Sequence, residues 1–351
     1  AALRLLGRSA HDVVHQHVPD ERFVAIFTSL WAYLGLPPAE LCALTFAQAW
    51  ASYHRGGCYY VEGGGQALSN AFVSVIEAGG GQVLMKCPVV SIETARGTVT
   101  GAVTGRHGDL FAPVVISNAS APDTFRRLLR APASPAPATR TATSEVAATT
   151  SIVETYVGLR GRAEELGFPD RLLFTMADYD CQGQWNAVMR GDIRGVPTVV
   201  ANHNLSDPRH VPRGRSILNV AVLANGAEWM DLDDDVYATR KREVENQLLE
   251  VLAARLPDLR DRLEICETGT PRTMKRYSWN PDGSIYGLPP SARTHPLRRP
   301  GPRTDITGLY LAGAWTFPAG GFHGAITSGL HTAGLVAADL AGARRQASRE
   351  T

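Results

Sequence analysis

The stretch that decides the fold is GLYLAGAWTFPAGGFHGAI, residues 308–326. Its apolar start, Leu309–Ala312, predicts a short buried strand, and the glycines after it predict a tight turn and a loop whose backbone can approach a ligand closely. A helix is predicted from about Gly324 to Leu340. Because the start of a helix carries free N–H groups and a partial positive charge, an anionic group is stabilised there. Taken alone, the segment is as typical of an ordinary tight turn as it is of a loop that binds an anionic ligand.

A second informative segment begins with YYVEGGGQAL, residues 59–68. Its glycine triplet is not the G-x-G-x-x-G of a dinucleotide-binding turn, because position 68 is Leu and no clear strand precedes it. The triplet opens a predicted helix that Gly79–Gly81 ends. Short strands are predicted after it, over Val83–Cys87, Val89–Glu93, Thr98–Thr104 and Val114–Ile116.

The rest of the chain predicts a mixed α/β fold. Apolar residues from Phe23 to Leu34 recur every three or four positions, which predicts one helix that Gly35 ends. Residues 131–150 are rich in Pro, Ala, Thr and Ser and predict a loop. A mixed sheet with a long helix from about Asp233 to Arg255 is predicted next. Its strands are predicted over Ile152–Leu159, Leu172–Met176, Thr198–Ala201 and Ile217–Leu223.

Composition narrows the classes of function. The chain has 351 residues, enough for about two domains, and a formal net charge of +1. A balance so close to neutral does not favour nucleic acid as a partner. The sequence contains neither a signal peptide nor the run of about 18 apolar residues that would span a bilayer. Five cysteines, none in a C-x-x-C pair, are typical of a reduced thiol set in the cytoplasm.

In this order and at this distance, the two segments resemble one family of flavoproteins. They are similar to the FAD-dependent oxidoreductases that include phytoene desaturases, carotenoid isomerases and retinol saturases, with amine oxidases as more distant members. That family shares a GG…L…L…GG…V..I segment, a strand ending in Ser-Asn or Ser-Ala (here Ser117-Asn118), and an LYLAG…P.GG..GAI.SG segment. Residues 280–287, NPDGSIYG, also resemble a loop common in this group. The resemblance covers nearly the whole chain.

The resemblance implies FAD as cofactor and assigns residues to it. It places the backbone of Val89 at the adenine, Gly313–Ala314 at the ribityl and pyrophosphate region, and Phe322–Gly324 at the N1 and O2 edge of the flavin. Many relatives carry an acidic residue where Ala314 stands, so this position matches the desaturase-like form instead. The predicted cofactor-binding residues are Val89, Gly313, Ala314, Gly321, Phe322, His323, Gly324, Ala325 and Ile326.

Other side chains have two interpretations each. His323 is either an acid or base in catalysis or a structural residue, with the structural role favoured. Tyr286, Trp315 and Phe317 either line the substrate side of the flavin or pack in the core.

Two further clusters could suggest metals. The histidines at positions 11, 15 and 17 could suggest zinc, but they are more typical of a surface helix. The acidic run over residues 231–235 could suggest calcium, yet it lacks the Gly and the distal Glu of an EF-hand loop. The start of a helix explains this run better.

The family binds the ADP half of FAD with an N-terminal β-α-β unit bearing G-x-G-x-x-G, and nothing before residue 57 fits it. The chain starts Ala1-Ala2, as if cut from something longer. We therefore expect that the unit is missing or supplied by a separate polypeptide, that this chain alone binds FAD weakly, and that an exposed sheet edge favours association into homo-oligomers. The predicted domains are a helical substrate-side segment (1–56), part of an FAD-binding domain (57–130), a substrate domain (131–270) and a return to the FAD-binding domain (271–351).

The leading functional hypothesis is an FAD-dependent oxidoreductase, or a C-terminal part of one. It would desaturate, saturate or isomerise a polyisoprenoid such as a carotenoid, with an apolar small molecule as partner and peripheral contact with a membrane. The first alternative is an amine oxidase-like flavoenzyme acting on another apolar substrate. The second is a protein that has lost its cofactor and binds apolar ligands or serves as a scaffold.

Overall fold

The computed structural model describes residues 2–130, 150–162, 164–165, 167–318 and 320–350. Most of the loop predicted over residues 131–150 lies outside the described residues. The chain divides into two compact units, which we call the sheet unit and the loop unit. The sheet unit comprises Ala1–Met85, Thr150–Ser278 and Asp282–Ile285, and the loop unit comprises Lys86–Thr149, Trp279–Pro281 and Tyr286–Thr351. The four domains predicted from the sequence stay a prediction.

Helices occur in both units. In chain order they are α1 (Ala10–His17), α2 (Glu21–Phe27), α3 (Trp31–Leu34), α4 (Ala43–Gly56), α5 (Gly64–Ala78), α6 (Ala121–Asp123), α7 (Cys181–Met189), α8 (His203–Ser206), α9 (Ala227–Met230), α10 (Asp234–Ala253), α11 (Leu259–Arg262), α12 (Pro271–Ser278) and α13 (Gly321–Glu350). Short 3-10 turns are formed by Ala2–Leu5, Pro208–His210, Pro281–Gly283 and Pro296–Arg298, and a π-helical turn by Thr124–Leu128.

The strands are β1 (Val89–Ala95), β2 (Thr98–Thr104), β3 (Gly108–Phe111), β4 (Val115–Ser117), β5 (Thr150–Arg160), β6 (Leu172–Thr175), β7 (Thr198–Asn202), β8 (Arg215–Asn225), β9 (Leu263–Gly269) and β10 (Leu309–Leu311). In the sheet unit, five strands are ordered β6-β7-β8-β5-β9. Every described pair in this sheet is antiparallel, so the sheet is more regular than the mixed one that the sequence predicts.

The core of the sheet unit lies between one face of this sheet and helix α10. Along β5, Val153, Val157 and Leu159 are buried, because alternate side chains of a strand point to the same face. Helix α10 buries Leu248 and Leu252, which are four residues apart and therefore share one side of the helix. These residues belong to one continuous apolar cluster, which joins the long helix to the long central strands.

The loop unit has a smaller core. Strands β1, β2 and β3 form an antiparallel meander, and β10 pairs with β4 in a parallel pair. Its main apolar cluster contains Ile92, Val99 and Leu309 together with a few neighbours. The parallel pair places the residues after β4 beside the residues after β10, because both strands end at the same edge.

Three predicted elements need correction. The single helix predicted from Phe23 to Leu34 is two helices, and buried Thr28 lies at the break, where its hydroxyl donates to the Val24 carbonyl oxygen at 2.7 Å. A polar β-branched residue that bonds to the backbone in this way weakens a helix. Gly35 ends the pattern as predicted, with φ 88°.

The strand predicted over Val83–Cys87 is absent, and Lys86 there has φ 52°, which no strand residue adopts.

The third correction concerns the length of the final helix, and two strands were not predicted at all. The predicted final helix begins earlier and runs further, over Gly321–Glu350. The edge strands β3 and β9 were not predicted, since each has a short or polar sequence. Within the described part of the chain, no helix is long and apolar enough to cross a membrane.

Candidate functional site

The turn after β10 requires glycine. Gly313 has φ 96°, and a Cβ at this position would lie 1.9 Å from the Oδ1 of Asn118, the residue that follows β4. Any larger residue would therefore collide with the neighbouring strand end. The predicted tight turn is confirmed, and its physical cause is close packing at the ends of two parallel strands.

Buried hydroxyl groups fasten this turn to helix α13. Ser328 Oγ accepts the Gly313 N–H at 3.1 Å and lies 2.6 Å from Thr316 Oγ1. Thr316 Oγ1 also donates to the Gly313 carbonyl oxygen at 2.9 Å. One turn further along α13, Thr332 donates to the Leu311 carbonyl oxygen at 3.0 Å. Sequence reasoning missed Ser328 and Thr332, although their spacing of four residues placed both on one side of the helix.

The loop that contains Tyr286 and Gly287 packs against the turn that follows β10. A Cβ on Gly287 would lie 2.5 Å from the Ala314 carbonyl oxygen, and one on Gly320 would lie 2.2 Å from the Tyr286 carbonyl oxygen. The buried Arg299 guanidinium donates to the carbonyl oxygens of Leu288, at 2.8 Å, and Ala314, at 3.2 Å. Backbone therefore packs directly on backbone here. Arg299 was also missed, because an arginine in a basic, proline-rich stretch is ordinarily a surface residue.

The start of α13 is open. Gly321 has φ 76°, and a Cβ placed on it would meet nothing within 4 Å. Phe322 and His323 are exposed, whereas Gly324 is buried. The first N–H groups of a helix have no partner within the helix, and they carry its positive end. The chemistry of this helix start therefore fits the anionic edge of a flavin or a phosphate group, and no described side chain fills the space beside Gly321.

The three side chains predicted to line the substrate side differ in environment. Trp315 is buried, packs with Ala121 and Leu288, and donates its indole N–H to Asn280 Oδ1 at 2.9 Å. This environment matches the core-packing interpretation of Trp315. Phe317 is partly buried beside the ring of His331, with centroids 5.9 Å apart. Tyr286 is also partly buried, and its backbone packs against Gly320.

The predicted cofactor residues form one continuous group with one outlier. Gly313, Ala314 and the start of α13, including half-buried Ala325 and exposed Ile326, belong to the same loop and helix of the loop unit. Val89 lies instead at the start of β1, where it pairs with Thr104 and is partly exposed. Their roles toward FAD stay predictions.

The glycine triplet has a structural role in the sheet unit. The Gly63 N–H donates to Asp207 Oδ2 at 2.7 Å, directly before α5. Hydrogen bonds from the Arg209 side chain and from the Gly63 N–H hold the pKa of the Asp207 carboxyl well below its usual range. The carboxylate is therefore ionised and fastens the start of α5 to the 3-10 turn Pro208–His210.

The two weak metal candidates have other contacts. On α1, His11 Nε2 and His15 Nε2 lie 3.2 and 3.5 Å from the carboxylate of Glu21 on α2. Asp234 and Asp235 form the acidic first turn of α10, as the helix interpretation predicts. Among the described residues, no group of three or more His, Cys, Asp or Glu could hold a metal ion.

Two pockets lie away from these residues. One, of about 210 Å³, is lined by residues that include Leu256 and Arg262. The other, of about 490 Å³, runs along α13 between Ala337 and Arg345. Neither is lined by a predicted site residue, so the candidate site is defined by the glycine loop and the start of α13.

Comparison with known proteins agrees with this geometry. Residues 3–337 match the family described as flavin containing amine oxidoreductase. The chain belongs to this family. The predicted membership of this flavoprotein family, and flavin as the cofactor of the family, are therefore confirmed.

Two curated relatives and one solved structure illustrate the similarity. An all-trans-retinol 13,14-reductase of Danio rerio is 28% identical over 93% of this chain and 57% of its own length. A chloroplastic prolycopene isomerase of Arabidopsis thaliana is 28% identical over 82% of this chain and 47% of its own length. The chain thus spans about half the length of these relatives.

The solved structure is an oxidoreductase from Methanosarcina mazei, which matches with a TM-score of 0.61 and 16% identity over 92% of this chain and 67% of its own. At this identity the match shows the fold alone, and it confirms the predicted mixed α/β class.

Proposed function

We propose that this chain carries the flavin-facing part of an FAD-dependent oxidoreductase that desaturates, saturates or isomerises a polyisoprenoid. The observation that carries the proposal is the open start of α13 behind the tight Gly313 turn, found in a chain of the flavin-containing family. The substrate class is supported by two relatives, whose names specify a retinol and a prolycopene. Both compounds are long apolar polyenes.

The flavin would supply the chemistry by accepting or donating a hydride. The chain's own part is to hold the cofactor and orient it. The backbone N–H groups from Gly321 to Gly324 would bind its anionic edge, since the positive end of a helix stabilises negative charge. Ser328 and Thr316 would keep the loop in the geometry that brings this backbone close. Of the side chains at the helix start, His323 is the one that could carry a proton, and its exposure leaves it accessible.

The proposal is tested anaerobically with FAD added to the purified protein, once oxidised and once reduced with dithionite, and with all-trans-retinol or prolycopene as substrate. Saturation and isomerisation require the reduced flavin, whereas desaturation requires the oxidised one. Binding is followed by the change in flavin fluorescence, and products by chromatography. We expect saturable FAD binding and product formation that depends on FAD. Product formation without FAD, or a protein that neither binds FAD nor converts either polyene, would contradict the proposal.

A matched pair of variants locates the site. Ser328→Ala leaves the buried Gly313 N–H without its partner and removes one of the two hydrogen bonds of Thr316. An unpaired buried group costs about 1–3 kcal/mol. We therefore expect FAD affinity to fall about tenfold, which is 1.4 kcal/mol. The control is Ser69→Ala, which removes an exposed helix serine bonded to the Gly65 carbonyl oxygen. Equal loss in both variants would show that the FAD site lies elsewhere.

A further inference from the structure

The carboxyl ends of β4 and β10 meet at one edge of the loop unit. Because these strands are parallel, the residues that follow them, Asn118 and Gly313, lie side by side. In open parallel sheets, ligands bind in the crevice outside the carboxyl ends of the strands. Asn118 is exposed at this edge, whereas Ser117 and Ser120 on either side of it are buried. The Asn118 side chain is therefore available to a ligand at this edge.

The backbone around Asn118 is fixed on both sides. The Ser117 carbonyl oxygen accepts the Ala312 N–H at 3.0 Å, and the Ser117 hydroxyl lies 2.7 Å from Thr124 Oγ1. The hydroxyl of Ser120 accepts a backbone N–H of α6 at 3.1 Å. These bonds hold the turn between β4 and α6 without using the side chain of Asn118. The neighbouring residues therefore set the position of Asn118, and its amide stays available.

The orientation of the Asn118 amide follows from its contact with Gly313. Asn118 Oδ1 would lie 1.9 Å from a Cβ placed on Gly313, whereas Nδ2 would lie 3.9 Å from it. The oxygen therefore faces the glycine, and the nitrogen is turned away from it. A C–H group accepts no hydrogen bond, so the reverse orientation would give the nitrogen no partner. Within the described part of the chain, the Asn118 side chain makes no hydrogen bond, so both of its N–H donors are free for a ligand.

Helix α13 sets the distance between this edge and the helix start proposed to bind the flavin. Ser328, which accepts the Gly313 N–H, lies seven residues after Gly321. At about 1.5 Å per residue, the helix start therefore stands about 10 Å beyond the edge at which Asn118 lies. On the side of the helix that carries Ser328, the positions one and two turns earlier are Gly324 and Gly321, which have no side chain. A flavin ring at the helix start would thus bring the phosphate at the end of its ribityl chain close to Asn118.

We propose that Asn118 is a further cofactor-binding residue, and that its side-chain amide donates to the phosphate joined to the ribityl chain of FAD. An ionised phosphate oxygen only accepts, and a hydrogen bond to a charged acceptor is stronger than one between neutral groups. The Ala314 N–H has no acceptor among the described residues and is a second donor at the same turn. This inference rests on the proposed function and adds one side chain to the same site.

The test measures equilibrium binding of riboflavin, FMN and FAD to the full chain by dialysis in the dark, so it needs no turnover. Riboflavin lacks the phosphate, and FMN has the phosphate without the adenosine half. Asn118→Asp keeps the size of the side chain and puts a negative charge where the donor stood, whereas Asn118→Leu removes the donor alone. Because a hydrogen bond to a charged group is lost, we expect FMN and FAD to bind both variants about tenfold or more weakly, and riboflavin binding to change by less than about twofold.

Asn246→Leu is the matched control. Asn246 is an exposed asparagine on α10 of the sheet unit, and its replacement should leave all three affinities unchanged. Unchanged FMN and FAD affinities in both Asn118 variants would overturn the proposal. An equal loss for all three flavins, which indicates a distorted Gly313 turn, would also overturn it, as would a loss confined to FAD, which places Asn118 at the adenosine half. Circular dichroism checks folding, and Asn118→Asp decides the outcome if Asn118→Leu does not fold.

The failures of the two proposals are distinguishable. If the wild-type protein binds FAD and the Asn118 variants bind it equally well, the role of Asn118 alone is removed. The same conclusion follows if FAD binds but FMN binds no more tightly than riboflavin. A wild-type protein that binds none of the three flavins would remove the proposed function and the role of Asn118 together.

Discussion

Helices α10 and α13 are the longest of the described helices, and they hold their units together in opposite ways. Helix α10 buries Leu248 and Leu252 against the five-stranded sheet. Helix α13 instead leaves a stripe of large apolar side chains exposed, with Phe322 75% and Leu330 76% exposed. Its buried contacts are polar and run through Ser328 and Thr332 to the glycine loop.

The two units therefore differ in the interactions that stabilise them. The sheet unit depends on apolar area removed from water, so its weak points are large core side chains. The loop unit depends on backbone geometry and on a few buried hydrogen bonds around Gly313, so its weak points are glycines and hydroxyl groups. If the loop binds flavin as proposed, hydrogen bonds and tight turns would keep its backbone near the cofactor, which bulky side chains would prevent.

The largest effect is expected for Leu252→Ala. Leu252 is 1% exposed, and removal of a buried leucine costs about 2–5 kcal/mol through lost burial and the cavity that remains. Hydrogen exchange measured on β5 and β8 should show faster opening, with little change at residues 309–330. The control is Val236→Ala on the exposed side of the same helix, for which a change below about 0.5 kcal/mol is expected. Loss of protection confined to residues 309–330 would contradict the comparison.

A smaller effect, in the other unit, is expected for Gly313→Ala. The new Cβ would collide with Asn118 at a backbone angle that L residues rarely adopt, which costs about 1–3 kcal/mol. Protection should fall at β10 and at the start of α13 and stay unchanged at β5. Gly334→Ala is the control on α13, since a Cβ there meets nothing within 4 Å. Because alanine favours a helix interior over glycine, this control should be neutral or stabilising by about 0.5–1 kcal/mol. Equal loss in both variants would mean that the turn geometry does not matter.

The smallest effect concerns pH. Hydrogen bonds from Arg303 and Tyr310 lower the pKa of the Asp339 carboxyl on α13 below its ordinary value of 3.8. A carboxyl with a lowered pKa in the folded state contributes stability above its unfolded pKa, and this contribution is lost as pH falls through the folded pKa. Tyr310→Phe should therefore raise the pKa of Asp339 toward 3.8, as read from the carboxyl shift by NMR. An unchanged pKa would show that Tyr310 contributes nothing.

Local features were predictable because each depends on neighbouring residues. The strand, tight turn and helix over residues 308–326 follow from apolar spacing and from glycine, and strand β2 was predicted with its observed bounds. The break at Thr28 was not predictable from apolar spacing, since a polar residue there preserves the pattern while its hydroxyl competes with the helix.

By itself, the sequence determined the family, the flavin cofactor and the order of strand, glycine turn and helix, since these depend on residues close together in the chain. The tertiary structure decided which distant residues meet. Only the fold brings Asn219 to Glu154 across 65 positions and Arg299 to the carbonyl oxygen of Ala314. Strand pairing and loop closure set such contacts, and their side chains carry no local periodicity that marks them beforehand. The glycine loop was therefore predictable from the sequence, whereas the side chains that stabilise it, such as Arg299, were not.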